Sequence, residues 1–570
     1  MPIPHPFRTV VAGLVLASAL TSCTEPDEPR AAPATPTPTT TAPGPAAATV
    51  TEPEPLDPTV SMTDAGAALY ARSEAQEKPR PRYDVVARVE PTDGRVQGEL
   101  TAVLPVGDEE AATFRLFAGL PELDAKPQVD GVEVDGEPAE VSRDASILEV
   151  ALPEGHDEVL TVRMSFGYSL PEVEPAGGVL GGEMTPAEIG LLARHPDAMT
   201  LGHWMPLWIP EGRSADPVPD GFGDIGAFAA ADVSVRLDVP DGWTVVDSGV
   251  RTGEKSTGDG RTVVSSEGAG MRDFAVALLR APETRFRELD GALEGVTLSA
   301  TGPSDSRQEL DGVLDEAEAA LRVLSDAYGG YPWREFDVVA TPLGGSVAGM
   351  EWPGATFIEA NLFAGGIPGL GDLGSSLDEL GLDEESLADL VEELGGDGDE
   401  DLGLLLASTR AWTIAHEVAH SWWTVMVGND SVEDPVVDEP LAQYTSCLVV
   451  RDSLPRGDEV CRSQLGSGYE QMRMLGGSDG PADRASDDFA SSLQYGGLVY
   501  GKAAEFYLEL EERYGVGRLT KALRALVQEG AFRMLTGDDV RVVLTEELGP
   551  EVDDLWTRWM DEAHGDADLL

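Results

Sequence analysis

The stretch AWTIAHEVAHSWW, Ala411–Trp423, sets His416 and His420 four residues apart in an otherwise apolar run, with Glu417 beside the first. On an α-helix, positions four apart share a face. Both imidazoles can then point at one ion, and imidazole is a common zinc ligand. Glu417, one position further on, can reach a water held by that ion. A metal lowers the pKa of such a water toward roughly 7, and a nearby carboxylate can take its proton. The His-Glu-x-x-His pattern arises by chance on the order of 10⁻⁵ times per window at these residue frequencies. Two histidines and a glutamate inside an apolar helix also need partners, and a metal ion supplies them.

A catalytic zinc takes three protein ligands and keeps one position open. The third ligand is expected from another element. Glu439 follows His420 with eighteen residues between them, in VVDEPLAQYTSCLVV, which reads as a loop entering a helix. A glutamate in that first turn can reach the open side of the metal.

Outward from the motif, the chain has 570 residues and 42% hydrophobic content, enough for two or three domains with cores of their own. The net charge of −64 argues against a nucleic-acid partner, because phosphate would be repelled. Residues 81–303 are rich in short alternating runs such as ADVSVRLDVP and GWTVVDSGV, which predict an N-terminal antiparallel β saddle or sandwich. Residues 304–570 open with an amphipathic helix, QELDGVLDEAEAALRVLSDAY, stopped by Gly-Gly, and continue through two strands, EFDVVATPL and ATFIEA, into mostly helical sequence. The fold class expected is multidomain α+β.

At the N-terminus, residues 1–23 read as a signal peptide with an apolar run too short to span a bilayer. Leu20-Thr21-Ser22-Cys23 resembles a bacterial lipobox, in which Cys23 becomes the lipidated first residue. Residues 24–80, opening on a Pro/Ala/Thr-rich run, are expected to be a disordered tether. These features predict an exported protein, anchored by lipid to the outer face of the bacterial cell membrane. Cys447 and Cys461 form either a disulfide, which export permits, or two separate thiols.

Residues 366–402 form an acidic insert, with twelve carboxylates between Asp378 and Asp401. Leu387, Leu390, Val391 and Leu394 fall on one helical face, which predicts a helix packed on the body or a lid over a nearby site. The Asp397, Asp399 and Asp401 spacing fails as a calcium loop, since Leu402 and Ser408 stand where glycine and glutamate are needed.

The motif, the eighteen-residue interval and Glu439 resemble the gluzincin aminopeptidases, the group of aminopeptidase N and leukotriene-A4 hydrolase. LGGSVAGMEWPG lies where that family carries Gly-x-Met-Glu-Asn, and SLQYGGLVYGKAAEFYLEL lies where it carries a catalytic tyrosine followed by a helix. The resemblance implies a thermolysin-like, mainly helical catalytic domain. It implies one Zn2+ per chain on His416, His420 and Glu439, with Glu417 as general base and then proton donor. It implies Tyr500 as the oxyanion donor, with Tyr495 as its rival. Gly349, Met350 and Glu351 would bind substrate, with Glu351 taking the free α-amino group. The reaction implied is attack of zinc-activated water on the first carbonyl of a peptide outside the membrane. Ala348 and Trp352 depart from the family pattern, which leaves an endopeptidase or narrow-substrate peptidase, and a catalytically silent surface-binding protein, as alternatives. The segment GHWMPLWIPEG is expected near the amine site.

Overall fold

The computed structural model describes residues 53–74, 79–173, 189–218, 223, 226–304, 307–344, 347–364 and 398–570. Residues 1–52, which include the expected signal peptide, Cys23 and most of the Pro/Ala/Thr-rich run, lie outside the described residues, as does the acidic stretch up to residue 397. Among the described residues no helix is long and apolar enough to cross a membrane.

Alternation of apolar and polar residues builds the N-terminal half. Strand Ala231–Pro240 buries Val233, Val235, Leu237 and Val239 on one face and turns the residues between them toward solvent. It belongs to an eight-stranded sheet in which Arg82–Glu90 pairs antiparallel with Arg95–Leu104 and parallel with Ala231–Pro240. That parallel pair departs from the purely antiparallel expectation. Alternation fixes which face a residue takes, not the direction of a neighbour some 150 positions away. Two four-stranded sheets complete this part.

A five-stranded sheet then leads to the site. Its order is Glu283–Glu288, Thr297–Gly302, Glu335–Thr341, Ala355–Glu359, Gly349–Trp352. The first two strands fall in the span read from sequence as the β-rich half, yet they pair with each other, and Thr297–Gly302 pairs with Glu335–Thr341, which follows helix Arg307–Tyr328. That helix buries Leu310, Val313, Leu314, Ala317, Leu321 and Leu324. The hairpin Gly349–Trp352/Ala355–Glu359 closes the sheet, and Gly349–Trp352 is its edge.

Helix Gly398–Ala419 carries the motif, so the end of the sequence read as the acidic insert is the beginning of that helix. It packs between helix Arg307–Tyr328 and helix Glu439–Ser453. Trp422 and Trp423, fully buried just after it, hold its C-terminal end; Trp422 donates to Gly329 O and Trp423 to Thr445 Oγ1. Cys447 and Cys461 form a disulfide between helix Glu439–Ser453 and helix Gly457–Met474.

Residues 53–74 correct the expected tether. They include helices Pro58–Ser61 and Asp64–Glu74 and strap the two halves together. Met62 is fully buried and bridges to Trp333, while Ser61 Oγ accepts from Ala269 N. Tyr70 bonds Asp232 and stacks edge-on against Phe532. A few buried side chains suffice for this order, and the polar, Pro-rich composition around them hid them. Arg272, immediately after strand Arg261–Met271, also joins the halves: its guanidinium donates to the carbonyls of Val425, Phe228, Met426 and Arg533.

Candidate metal centre

The helical register brings His416 and His420 together as the spacing predicts. Glu439 enters from the first position of helix Glu439–Ser453. Asp438 caps that helix by accepting from Glu439 N at 2.6 Å, and Pro440 sits where a missing N–H costs nothing. Asp438 is itself fixed by Asn429 Nδ2 at 2.7 Å and by Ser431 Oγ.

Three atoms converge. His416 Nε2 and His420 Nε2 lie 3.1 Å apart. Glu439 Oε2 lies 3.3 Å from the first and 3.5 Å from the second. Zinc–nitrogen and zinc–oxygen bonds of about 2.0–2.1 Å in a tetrahedron place neighbouring ligand atoms about 3.3–3.4 Å apart. The observed edges fit that figure. Glu439 Oε2 is buried and faces both imidazole nitrogens, as a metal-facing oxygen would. His420 Nδ1 faces Trp423 O at 3.2 Å and Thr424 Oγ1 at 3.0 Å. A proton on Nδ1 satisfies the carbonyl and leaves the Nε2 lone pair for the metal. Thr424 holds this position at φ +86°, where a β-branched residue is strained. The residues present therefore fit a zinc ion.

A second acidic group, Glu351, Glu417 and His420, also brings ligand atoms within 4.8 Å of one another. It is a poor second metal site, because the His420 nitrogen on that side, 3.9 Å from Glu351 Oε1, already faces Trp423 O and Thr424 Oγ1.

The electrostatics express crowded carboxylates around buried imidazoles. Burial pushes Glu417 well above the usual carboxylate range; His420 opposes this, and Glu351 and Glu439 add to it. Burial also works against ionised Glu439, but His420 and His416 outweigh it and hold that carboxyl below the usual range. Burial disfavours a charged His420, yet Glu351 and Glu439 overcome it and raise the imidazole well above its ordinary value. The pocket is built to hold positive charge. Asp438, behind the centre, is pushed up to about 8 by burial and by Glu439.

Glu351 lies on edge strand Gly349–Trp352, half-buried, at a cleft that Met350, Trp352, His203, Asp273 and Thr424 also line. Consecutive strand residues point to opposite faces. Trp352 accordingly turns away from the carboxylate, buried against Phe357 and His203 at centroid distances of 5.6 and 5.3 Å. Its ring also fills the space where a Cβ on Gly202 would stand, 2.3 Å from Cη2. The bulk of Trp352 therefore forms cleft wall without occupying the place of Glu351. Gly349, at the start of the strand, lies directly against the Glu417 side chain. Ala348 O accepts from Glu359 N, a sheet contact.

Of the two tyrosines, Tyr500 faces the centre, its ring 6.1 Å from that of His416. Burial and Glu439 raise its hydroxyl well above the ordinary value. Tyr495 packs on Phe489, and its hydroxyl sits beside Gly223.

Sequence reading missed His203 and Asp273, which come from the β-rich half. His203 N donates to Asp273 Oδ2 at 2.8 Å, and its ring Nδ1 lies 3.2 Å from the same oxygen. His203 falls inside GHWMPLWIPEG, but a single histidine there carries no local signal. Thr424 was also missed; its role depends on a strained turn that composition does not reveal. Asp438 was missed as well, although an aspartate two residues before Pro440 is a recognisable helix-start signal.

Comparisons with known proteins agree with this geometry. Residues 406–559 match the model of the Peptidase family M1 domain. The chain is 25% identical over 167 residues to tricorn protease-interacting factor F2 of Thermoplasma volcanium, covering 29% of this chain and 21% of that protein. It is 26% identical over 151 residues to aminopeptidase M1-B of Oryza sativa subsp. japonica, covering 26% and 17%. The matched segment thus spans about a fifth of these relatives' length. The fold is similar to the M1 zinc metallopeptidase of Deinococcus radiodurans, with TM-score 0.56 and 17% identity over 85% of this chain and 94% of that one. It is similar also to a mutant of that enzyme bound to a Tyr-Ser-Ala substrate, with TM-score 0.55 at the same identity over 85% and 95%.

Proposed function

We propose that this chain, whose residues 406–559 match the Peptidase family M1 domain, is a zinc aminopeptidase that removes residues from the N-termini of peptides. The carrying observation is the position of Glu351, whose carboxylate lies within 4.8 Å of both Glu417 and His420 while the three candidate ligands converge beside it. A fixed carboxylate next to the proton-transfer group binds the ammonium of a free N-terminus and sets the first peptide bond against the metal.

Each residue then has a task. Glu351 holds the substrate amine, and Gly349 and Met350 shape the edge along which the peptide lies. Zinc on His416, His420 and Glu439 would supply Lewis acidity, acidifying a water and polarising the scissile carbonyl. Glu417 takes the proton of the attacking water and passes it to the leaving amine. The Tyr500 hydroxyl donates to the carbonyl oxygen as negative charge develops there. Asp438 and Thr424 orient Glu439 and His420.

The place of action is part of the proposal. The lipobox-like LTSC before Thr24 and the Pro/Ala/Thr-rich run after it support a lipid anchor at Cys23 and work outside the membrane. The Cys447–Cys461 disulfide suits such an oxidising compartment.

A peptide-library digest with the purified chain tests the reading. Free peptides should lose N-terminal residues one at a time, N-acetylated peptides should stay intact, and a chelator should stop the reaction. Internal cuts in acetylated peptides would make it an endopeptidase. No cleavage of either set would leave a binding scaffold.

A further inference from the structure

Tyr500 does not sit on an ordinary helix. Gly496–Lys502 is π-helical, a rare turn that needs support from its surroundings. Two glycines let helix Gly457–Met474 press against it. A Cβ on Gly497 would come 2.6 Å from Met472 Cβ, and one on Gly501 would come 2.8 Å from Tyr469 N. The other support is Lys502, a fully buried lysine two residues after Tyr500. Its ammonium donates to Gly480 O at 2.7 Å and to Glu562 O, with Asp479 Oδ1 at 3.6 Å.

Those partners come from two segments distant in sequence. Glu562 follows the turn Thr557–Asp561 near the end of the chain. The same terminal segment grips the other support. Asp566 accepts from Tyr469 OH at 2.8 Å and pairs with Arg473, and Gly565 lies against the Tyr469 ring. Met560 O accepts from Ala482 N and Asp483 N, beside Gly480. The terminal segment, the 479–483 loop and helix Gly457–Met474 therefore all meet the turn that carries Tyr500, and Lys502 ties the first two directly.

We propose that Lys502 is a positioning residue for Tyr500, fixing its turn through the Glu562 and Gly480 carbonyls and so making the terminal segment part of the active site. A buried ammonium is costly unless it is fully hydrogen-bonded. An apolar residue of similar length would pack the same space without desolvating a charge. What lysine adds is directional hydrogen bonding to two segments at once, which sets the turn, and Tyr500 with it, relative to His416. The inference rests on the reading of Tyr500 as the carbonyl-oxygen donor.

A double-mutant cycle tests it. The full chain, Lys502→Met, Tyr500→Phe and the double variant are compared on alanyl-p-nitroanilide for kcat and KM, with zinc content and Tm measured alongside. Lys502→Met should lower kcat about tenfold or more while KM stays within about twofold and zinc stays at one per chain. The double variant should be no slower than Tyr500→Phe alone, since both changes remove one function. Multiplicative losses, or an unchanged kcat in folded Lys502→Met, would overturn the positioning role. Unchanged activity in Tyr500→Phe would instead sink the reading of Tyr500, and the inference with it. If Lys502→Met does not fold, Asp479→Asn, which removes the charge facing the ammonium while keeping an amide oxygen to accept from Gly480 N, decides. It should lower kcat severalfold with unchanged KM and add nothing in a Tyr500→Phe background; a Tm drop without a kcat change would count against the proposal.

Discussion

Gly349 on the sheet edge and Glu417 on the motif helix touch so closely that a Cβ on the glycine would stand 2.4 Å from Glu417 Oε1. No side chain can be added there without moving the carboxylate. Gly349→Ala should therefore displace Glu417 from the attacking water. The displaced group is the end of a side chain, so stability should change little. We expect kcat to fall about 10²-fold or more with zinc retained, a loss in the range of a misplaced general base. Steady-state kinetics with metal analysis checks it.

Thr424 holds His420 from behind, and Thr424→Ala removes the 3.0 Å contact to Nδ1 while leaving Trp423 O as a longer partner. Such supporting bonds commonly matter 10–100-fold in metal affinity. Zinc affinity should drop by about tenfold, measured by chelator competition, with the melting temperature of the zinc-loaded protein little changed.

The disulfide between Cys447 and Cys461 closes a loop with a sequence separation of 14 and ties the helix bearing Glu439 to its neighbour. Loops of this size are worth about 3 kcal/mol. Cys447→Ser with Cys461→Ser should lower stability by roughly that amount in denaturant titration. Wild-type protein under reducing conditions should match the double variant.

Asp337 gives the fold a pH dependence. Burial pushes its carboxyl up to about 6, with Asp247 adding to the shift and Ser299 and Arg251 opposing it. Glu335, beside it, is pushed up to about 7 by burial and by Asp337. The folded state thus keeps a proton that the unfolded chain releases near pH 4. The contribution is full below that point and is lost as pH rises through 6. The side chain is not fully enclosed, so we expect about 2 kcal/mol for Asp337. Asp337→Asn should narrow the difference in Tm between pH 4.5 and pH 8, and an unchanged difference would refute the assignment.

The convergence of His416, His420 and Glu439 was legible because its information is local. The four-residue interval of His416 and His420 encodes one helical face, and Asp438-Glu439-Pro440 spells a helix start. The choice between Tyr500 and Tyr495 was not fixed in this way. The two lie five residues apart, a π-turn lies between helix and helix, and only the packing of Tyr495 against Phe489 and Gly223 separates them. Trp352 looked like an intruder beside Glu351 because one-dimensional order hides the alternation that packs its ring onto His203 and Phe357, as wall of the cleft. Residues 283–288 and 297–302 fell within the span assigned to the β-rich domain, but sheet membership is set by the pairing of Thr297–Gly302 with Glu335–Thr341 across helix Arg307–Tyr328. Residues 53–74 were missed because their order comes from contacts with Trp333, Asp232 and Phe532, none of them nearby in sequence.

The central claim is that Glu417 moves the proton while His416, His420 and Glu439 hold the metal. Its most direct test is Glu417→Gln assayed on aminoacyl-coumarin substrates with zinc quantified in the same sample. The account predicts about one zinc per chain and activity reduced by about 10³-fold or more. Wild-type activity in that variant would contradict it.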